Sequence, residues 1–272
     1  MLSGYLMATT QVDSYGVRIS PDELRTIFHK TPDPLLIRDS HDMSRPPAGV
    51  GRKKRLVDLP NGELGIEMDV EVLNEEVLVG KGGPSISVVL SGLSLRPERE
   101  PELVVLYNPI YFLDREIAPL VRLTTDEFQI NAGRNLQRGL EDLPFSLVLK
   151  FAAASYAARF LGEMGAGHYR ALRAHLRSIA ADTRHRERPP LRVQIQWVHE
   201  GSGQRAVHVV AEAQVEAVSS ESGVGKTQEL LAQIEQNLEL GAAHVGFRYD
   251  RDSKSWQQTY AVDEMGREVG GA

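Results

Sequence analysis

Asn61-Gly62-Glu63-Leu64-Gly65-Ile66-Glu67-Met68-Asp69-Val70-Glu71-Val72-Leu73 is the stretch that decides the fold class of the N-terminal half. Leu64, Ile66, Met68, Val70 and Val72 fall on one side, and Glu63, Gly65, Glu67, Asp69 and Glu71 on the other. A strict period of two predicts a half-buried antiparallel strand. Asn61-Gly62 is a strong hairpin signal, because both residues tolerate positive φ. It joins this strand to Val50–Leu59, a basic strand.

Reading outward, Gly4–Thr10 is a short apolar strand. Ser20-Pro21-Asp22-Glu23 opens a helix, with Ser as cap, Pro at the first helical position and Glu placed for a capping box. Pro32 and Pro34 end it. Leu35–Ile37 is a brief strand that runs into the polar loop Arg38–Gly49. After the glycines at 80, 82 and 83, Ser85–Leu95 and Leu103–Phe112 read as strands. Residues 1–123 are therefore expected to form a β-rich domain, barrel-like or a rolled sheet.

Residues 124–188 read as a helical region. Thr124–Glu127 could cap a helix, Asn131–Asp142 is polar, and Phe145–Phe160 reads as a buried helix. In Gly167–Ala181, the residues Tyr169, Leu172, Leu176 and Ile179 form an amphipathic stripe. Residues 189–272 then alternate strand, strand, helix, strand, strand: Leu191–Val198, Ala206–Val218, Thr227–Leu240, Val245–Tyr249 and Trp256–Val262. The fold class expected is α+β, with a ββαββ unit at the C-terminal end.

Composition narrows the function. The 272 residues are 42% hydrophobic and 25% charged, enough for a packed core, and the net charge of −6 gives no general pull toward nucleic acid. There is no Cys, which removes disulfides, thiolate catalysis and cysteine metal sites, and fits a reducing, cytoplasmic setting. No signal peptide and no membrane partner are expected.

Three motifs fall short of a chemistry. Gly223-Val224-Gly225-Lys226-Thr227 suggests a phosphate loop, but Ser220 stands where that pattern needs Gly. A turn with Thr227 capping a helix is the plainer reading, and no cofactor is expected. None of the eight histidines makes a metalloprotease pair, so no metal is expected. His168 and His175 lie two turns apart on one helix, which as two ligands is too few, and His199 and His208 could meet across a hairpin. Arg45, Arg52, Lys53, Lys54 and Arg55 form a basic cluster without interleaved aromatics, more in keeping with a charged strand edge than a base reader.

The polar loop after Leu35–Ile37 carries the best chemical signal. His41 stands between Asp39 and Asp42. An imidazole so placed could take a proton from a serine, with a carboxylate behind it. Ser85, Ser87, Ser91 and Ser94 are all eligible partners.

With those residues in view, Leu2–Phe112 resembles the prohead maturation proteases of tailed phages. The likeness lies in the opening strand, Asp13-Ser14-Tyr15-Gly16, the short helix at Pro21–Phe28, His41-Asp42 with Pro47-Ala48-Gly49, Gly62-Glu63-Leu64, and Gly92-Leu93-Ser94-Leu95. The resemblance implies a capsid-maturation serine protease acting on a protein or peptide. His41 would be the base, Ser94 the nucleophile with Ser91 as rival, and Asp114 or Glu116 the third member. The other reading is a non-enzymatic interaction or structural protein that keeps a protease-like β domain beside an α+β module. The sequence leaves oligomeric state open.

Overall fold

Strand pairing sorts the chain into two sheets. This computed structural model describes residues 2–12, 18–38, 43–73, 86–93, 100–138, 145–162, 167–182, 188–201, 205–219 and 227–270, with only the backbone at 86–93, 135–138, 167, 168 and 219. The chain is mixed α+β, as expected.

The first sheet is built from β1 (Leu2–Thr9), β2 (Leu35–Ile37), β3 (Gly49–Asp58) and β4 (Leu64–Val72), in the order β1-β4-β3-β2 with every pair antiparallel. The hairpin between β3 and β4 holds Asn61 at φ 68° and Gly62 at φ 74°, the conformations that made this dipeptide a turn signal. Helix α1 (Pro21–Lys30) carries the capping box. Ser20 Oγ accepts from the Glu23 amide at 3.3 Å, and the Glu23 carboxylate accepts from the Ser20 amide at 2.8 Å. Leu24 is thereby set against Ala8, Ile19 and Ile66 in a small core.

The basic cluster proves to be matched across strands. Arg55 meets Glu67 and Asp69, Arg52 meets Glu71, and the Lys54 amine donates to the carbonyls of Phe28 and Thr31. β2 pairs only with Gly49–Gly51, so Arg52–Arg55 lie past its end and match their charges across β4 alone.

Among the described residues, the second sheet has eight strands. They are β5 (Ile86–Leu93), β6 (Leu103–Tyr107), β7 (Ile130–Arg138), β8 (Ser146–Phe151), β9 (Arg192–Glu200), β10 (Ala206–Gln214), β11 (His244–Asp250) and β12 (Ser255–Val262), in the order β12-β11-β10-β9-β8-β6-β7-β5. Parallel pairs alternate with antiparallel ones. A parallel neighbour needs a crossover, and each parallel pair has a helical one. Helix α2 (Asp114–Val121) links β6 to β7. Helices α3 (Ala154–Leu161) and α4 (Gly167–Ala181) link β8 to β9. Helices α5 (Val215–Ser219) and α6 (Thr227–Glu239) link β10 to β11. The crossovers share one face of the sheet, where Leu120, Phe160, Leu176 and Ile234 bury against Val105, Leu149, Ile195 and Phe247. All four residues of the α4 stripe are buried. No helix among the described residues is long and apolar enough to cross a membrane.

Several local expectations change. Phe145–Phe160 is a strand followed by a helix, because Leu147, Leu149 and Phe151 face the helices while Ser146 and Val148 are buried on the other side. Two-sided burial erases the alternation that would have marked a strand. The polar stretch from residue 131 belongs to β7, an interior strand bonded to β5 and β6. Thr125 does not open a helix; its hydroxyl accepts from the Phe128 amide at 3.1 Å in a turn.

Candidate ligand-binding site

One row of paired residues lays the floor of a cavity on the sheet face away from the helices. Lys150 pairs with Gln196, Gln196 with Val210, Val210 with Gly246, and Gly246 with Tyr260. Residues paired across a sheet share a face. The row therefore crosses β8 to β12. Gly246 offers no side chain, and the Tyr260 ring fills that space: a Cβ at Gly246 would come within 2.1 Å of Tyr260 Cε1. His208 and His244 are paired to one side of the row, and their rings stack with centroids 4.9 Å apart and planes 13° from parallel.

The wall comes from the N-terminal sheet. Arg38, just after β2, and Met43 line the cavity, whose volume is about 210 Å³. Arg38 is held tightly. Its Nη1 donates to the carbonyls of Met43, at 3.1 Å, and of Arg45, and its Nη2 donates to the Tyr260 hydroxyl at 2.9 Å. The guanidinium lies 5.1 Å from the centre of the Tyr260 ring, and the Tyr260 hydroxyl donates to the Met43 carbonyl at 3.2 Å. Arg248 Nη2 donates to Ser44 Oγ at 2.7 Å, and Thr259 Oγ1 donates to the Ser44 carbonyl at short range. The segment from Met43 to Arg45 is thus stitched to β11 and β12.

Among the described residues, the charges that line this cavity do not balance. Arg38 is only 9% exposed, yet its hydrogen bonds go to carbonyls and a phenol. Lys150 supplies a second cation, and no carboxylate is among the described residues that line the space. Burial, the neighbouring His208 and then Arg38 pull the His244 imidazole down to about 4. Burial and then Lys150 lower His208 as well, although the residue is exposed. Farther along the same face the balance is restored. Glu212, 2% exposed, meets Arg192 at 3.2 Å and Arg248 at 3.5 Å, and accepts from Gln194 Nε2 at 3.2 Å.

Of the residues expected to form a catalytic triad, Asp114 and Glu116 are described in full and Ser91 by its backbone. His41, Ser85 and Ser94 lie outside the described residues, as do Gly223–Lys226. Ser91 lies in β5, where the backbone is described. Asp114 opens α2 and is already engaged. It accepts from the Tyr107 hydroxyl at 2.6 Å and from Arg134 Nε at 3.1 Å. The Arg134 hydrogen bonds, and then that of Tyr107, hold its carboxyl below the usual range. Arg134 pairs with Leu90 in β5, so Asp114 sits near the strand of Ser91. The residues flanking His41 do not: Arg38 and Met43 pack on Tyr260 of β12, at the opposite edge of the sheet from β5. Seven strand spacings of ~4.8 Å separate those edges, roughly 30 Å along the sheet. Glu116, the other acidic candidate, spends its carboxylate on the Leu113 amide at 2.6 Å.

Asp114→Asn is expected to cost about 1 kcal/mol or less, since the Arg134 partner is half exposed and exposed pairs contribute little. Urea unfolding measures it; a loss above about 3 kcal/mol would mean that the pair carries more than surface electrostatics.

His199 and His208 do not meet. His199 pairs with Val207, so the two imidazoles leave opposite faces of the sheet, and His199 Nε2 lies 2.8 Å from Glu235 of α6. The real neighbour of His208 is His244, 36 residues on. Alternation in each strand puts each histidine on a face, but it does not say that β10 and β11 are adjacent. No protein-family model, curated protein or solved structure matches the chain.

Proposed function

We propose that the chain is a non-enzymatic binding protein that seats a ligand between its two sheets. The observation that carries this reading is the cavity between Arg38, Met43 and the floor of β8 to β12, lined from both sheets, with a few polar groups set in a largely apolar wall. Concave sites of this kind, at a junction of structural units with a few convergent polar groups, are the usual places for small ligands. Asp114, fully engaged with Arg134 and Tyr107, and the wide spacing between β5 and the flanks of His41 weigh against a hydrolytic triad. In this reading the likeness to a maturation protease is one of shape.

The test is labelling of the purified chain by a fluorophosphonate probe, with Ser91→Ala, Ser94→Ala and His41→Ala alongside. No labelling of the wild type is the expected result. Labelling that disappears in one serine variant and in the histidine variant would establish an activated serine, and the chain would be an endopeptidase.

A further inference from the structure

We infer that the cavity between the sheets is an anion site, which takes a small phosphate or carboxylate through Arg38, Lys150, Gln196 and the paired imidazoles of His208 and His244. This rests on the binding-protein reading and adds the ligand class.

The first argument is charge. Elsewhere on the sheet faces, cations are matched: Arg55 by Glu67 and Asp69, Arg52 by Glu71, Arg192 and Arg248 by Glu212. The chain as a whole carries −6, so acidic partners are plentiful. At the cavity a buried guanidinium and a lysine converge from different sheets, and no described residue supplies the counter-charge. A buried guanidinium without a counter-charge is costly even when carbonyls hydrogen-bond it. An anion that enters between Arg38 and Lys150 removes that cost.

The second argument is hydrogen bonding. Among the described residues, no hydrogen bond reaches the Gln196 amide, the Lys150 amine or either imidazole, although all four line one small space. Together they bring several hydrogen-bonding groups to one space, which an oxyanion can use. Protonation of His208 or His244 would add a further charged donor once an anion is present.

The third argument is size and selectivity. At about 210 Å³ the cavity falls below the roughly 300 Å³ at which drug-sized pockets begin. It suits a phosphate ion, a short phosphomonoester or a small dicarboxylate. A metal ion fits poorly: no group of three or more metal-ligating side chains is found among the described residues, and the two cations would repel it.

The experiment is isothermal titration of the full chain at pH 6.0 and 7.5 with two probes, sodium phosphate and sodium succinate, in a buffer of low chloride. Saturable binding of at least one is expected, tighter at pH 6.0. Binding of phosphate alone identifies a phosphoryl site, and binding of succinate alone a carboxylate site. Lys150→Gln and His208→Gln change exposed side chains and should leave the fold intact. Each should weaken binding by about tenfold, the loss of one charge-assisted hydrogen bond. No saturable binding of either anion, or binding that both variants leave unchanged, overturns the inference. A neutral probe, glycerol, that shifts the imidazole NMR signals of His208 and His244 while both anions fail would sink the anion site but keep the binding reading. Fluorophosphonate labelling, by contrast, defeats that reading itself.

Discussion

Gly246→Val should destabilise the protein by about 3 kcal/mol or more and loosen the N-terminal sheet from β12. The Cβ alone would lie 2.1 Å from Cε1 and 2.5 Å from Cδ1 of Tyr260, and 2.8 Å from Thr259 Oγ1. Contacts this short force something to move. The ring cannot swing freely, because its hydroxyl accepts from Arg38 and donates to the Met43 carbonyl, and the Arg38 guanidinium lies over its face. Overpacking a filled site costs about 1–3 kcal/mol, and each hydrogen bond lost with the displaced ring adds about 1 kcal/mol. Urea unfolding gives the sum. A double-mutant cycle of Gly246→Ala with Tyr260→Ala gives the cause. If the clash is the source, the pair should be less destabilised than the two single changes added together. A Gly246→Val protein within 0.5 kcal/mol of wild type would mean that the Tyr260 ring does not lock the junction.

The same residue marks the limit of what the sequence discloses. Alternation made Leu64–Val72 a strand, Asn61-Gly62 a turn and Ser20–Glu23 a helix start, and each of these signals is local. The signal of β7 was lost because the strand is interior yet polar; what places it is the hydrogen-bonding of its backbone between β5 and β6, which side-chain patterning does not report. The strand Ser146–Phe151 reads as one segment with the helix after it for the opposite reason: Ser146–Leu149 are buried on both faces, so no alternation marks the strand. Gly246, in turn, is an ordinary glycine in the sequence. Its purpose emerges only when β12 delivers Tyr260 beside it, with a bulge between Gly246 and Phe247 setting the register.

The candidate site was legible in one respect. The loop after Leu35–Ile37 reads as a dense polar segment held by a strand, and its residues Arg38 and Met43 line the cavity. Its partners could not be read from the chain. Lys150, Gln196, His208, His244 and Tyr260 come from five different strands, and only the strand order brings them into adjacent rows. Parallel neighbours such as β10 and β11 are separated by a helical crossover, so sequence distance says little about which strands touch.

The histidine pair gives the second large effect, a loss of stability as pH falls from about 6.5 toward 4. The folded chain holds the His244 imidazole at about 4, against an ordinary value of 6.5. Between those values the unfolded chain binds the proton and the folded chain resists it. Stability therefore rises with pH across this window and is lost as pH drops through it. His208, lowered by burial and then by Lys150, acts in the same direction. The carboxylates act elsewhere. Asp114, held down by Arg134 and then Tyr107, and Asp250, held down by the Ser253 hydroxyl, lose their contributions only below their unfolded value of 3.8. The two sources can thus be separated by urea midpoints measured from pH 7.5 to 3. His244→Gln should flatten the decline between 6.5 and 4 and leave the steeper acid limb in place. Saturating phosphate should flatten it too, because an anion beside the rings favours their protonated form in the folded state. A decline that His244→Gln leaves unaltered would place its origin outside the cavity. A decline that phosphate steepens would show that the bound anion opposes protonation of the pair.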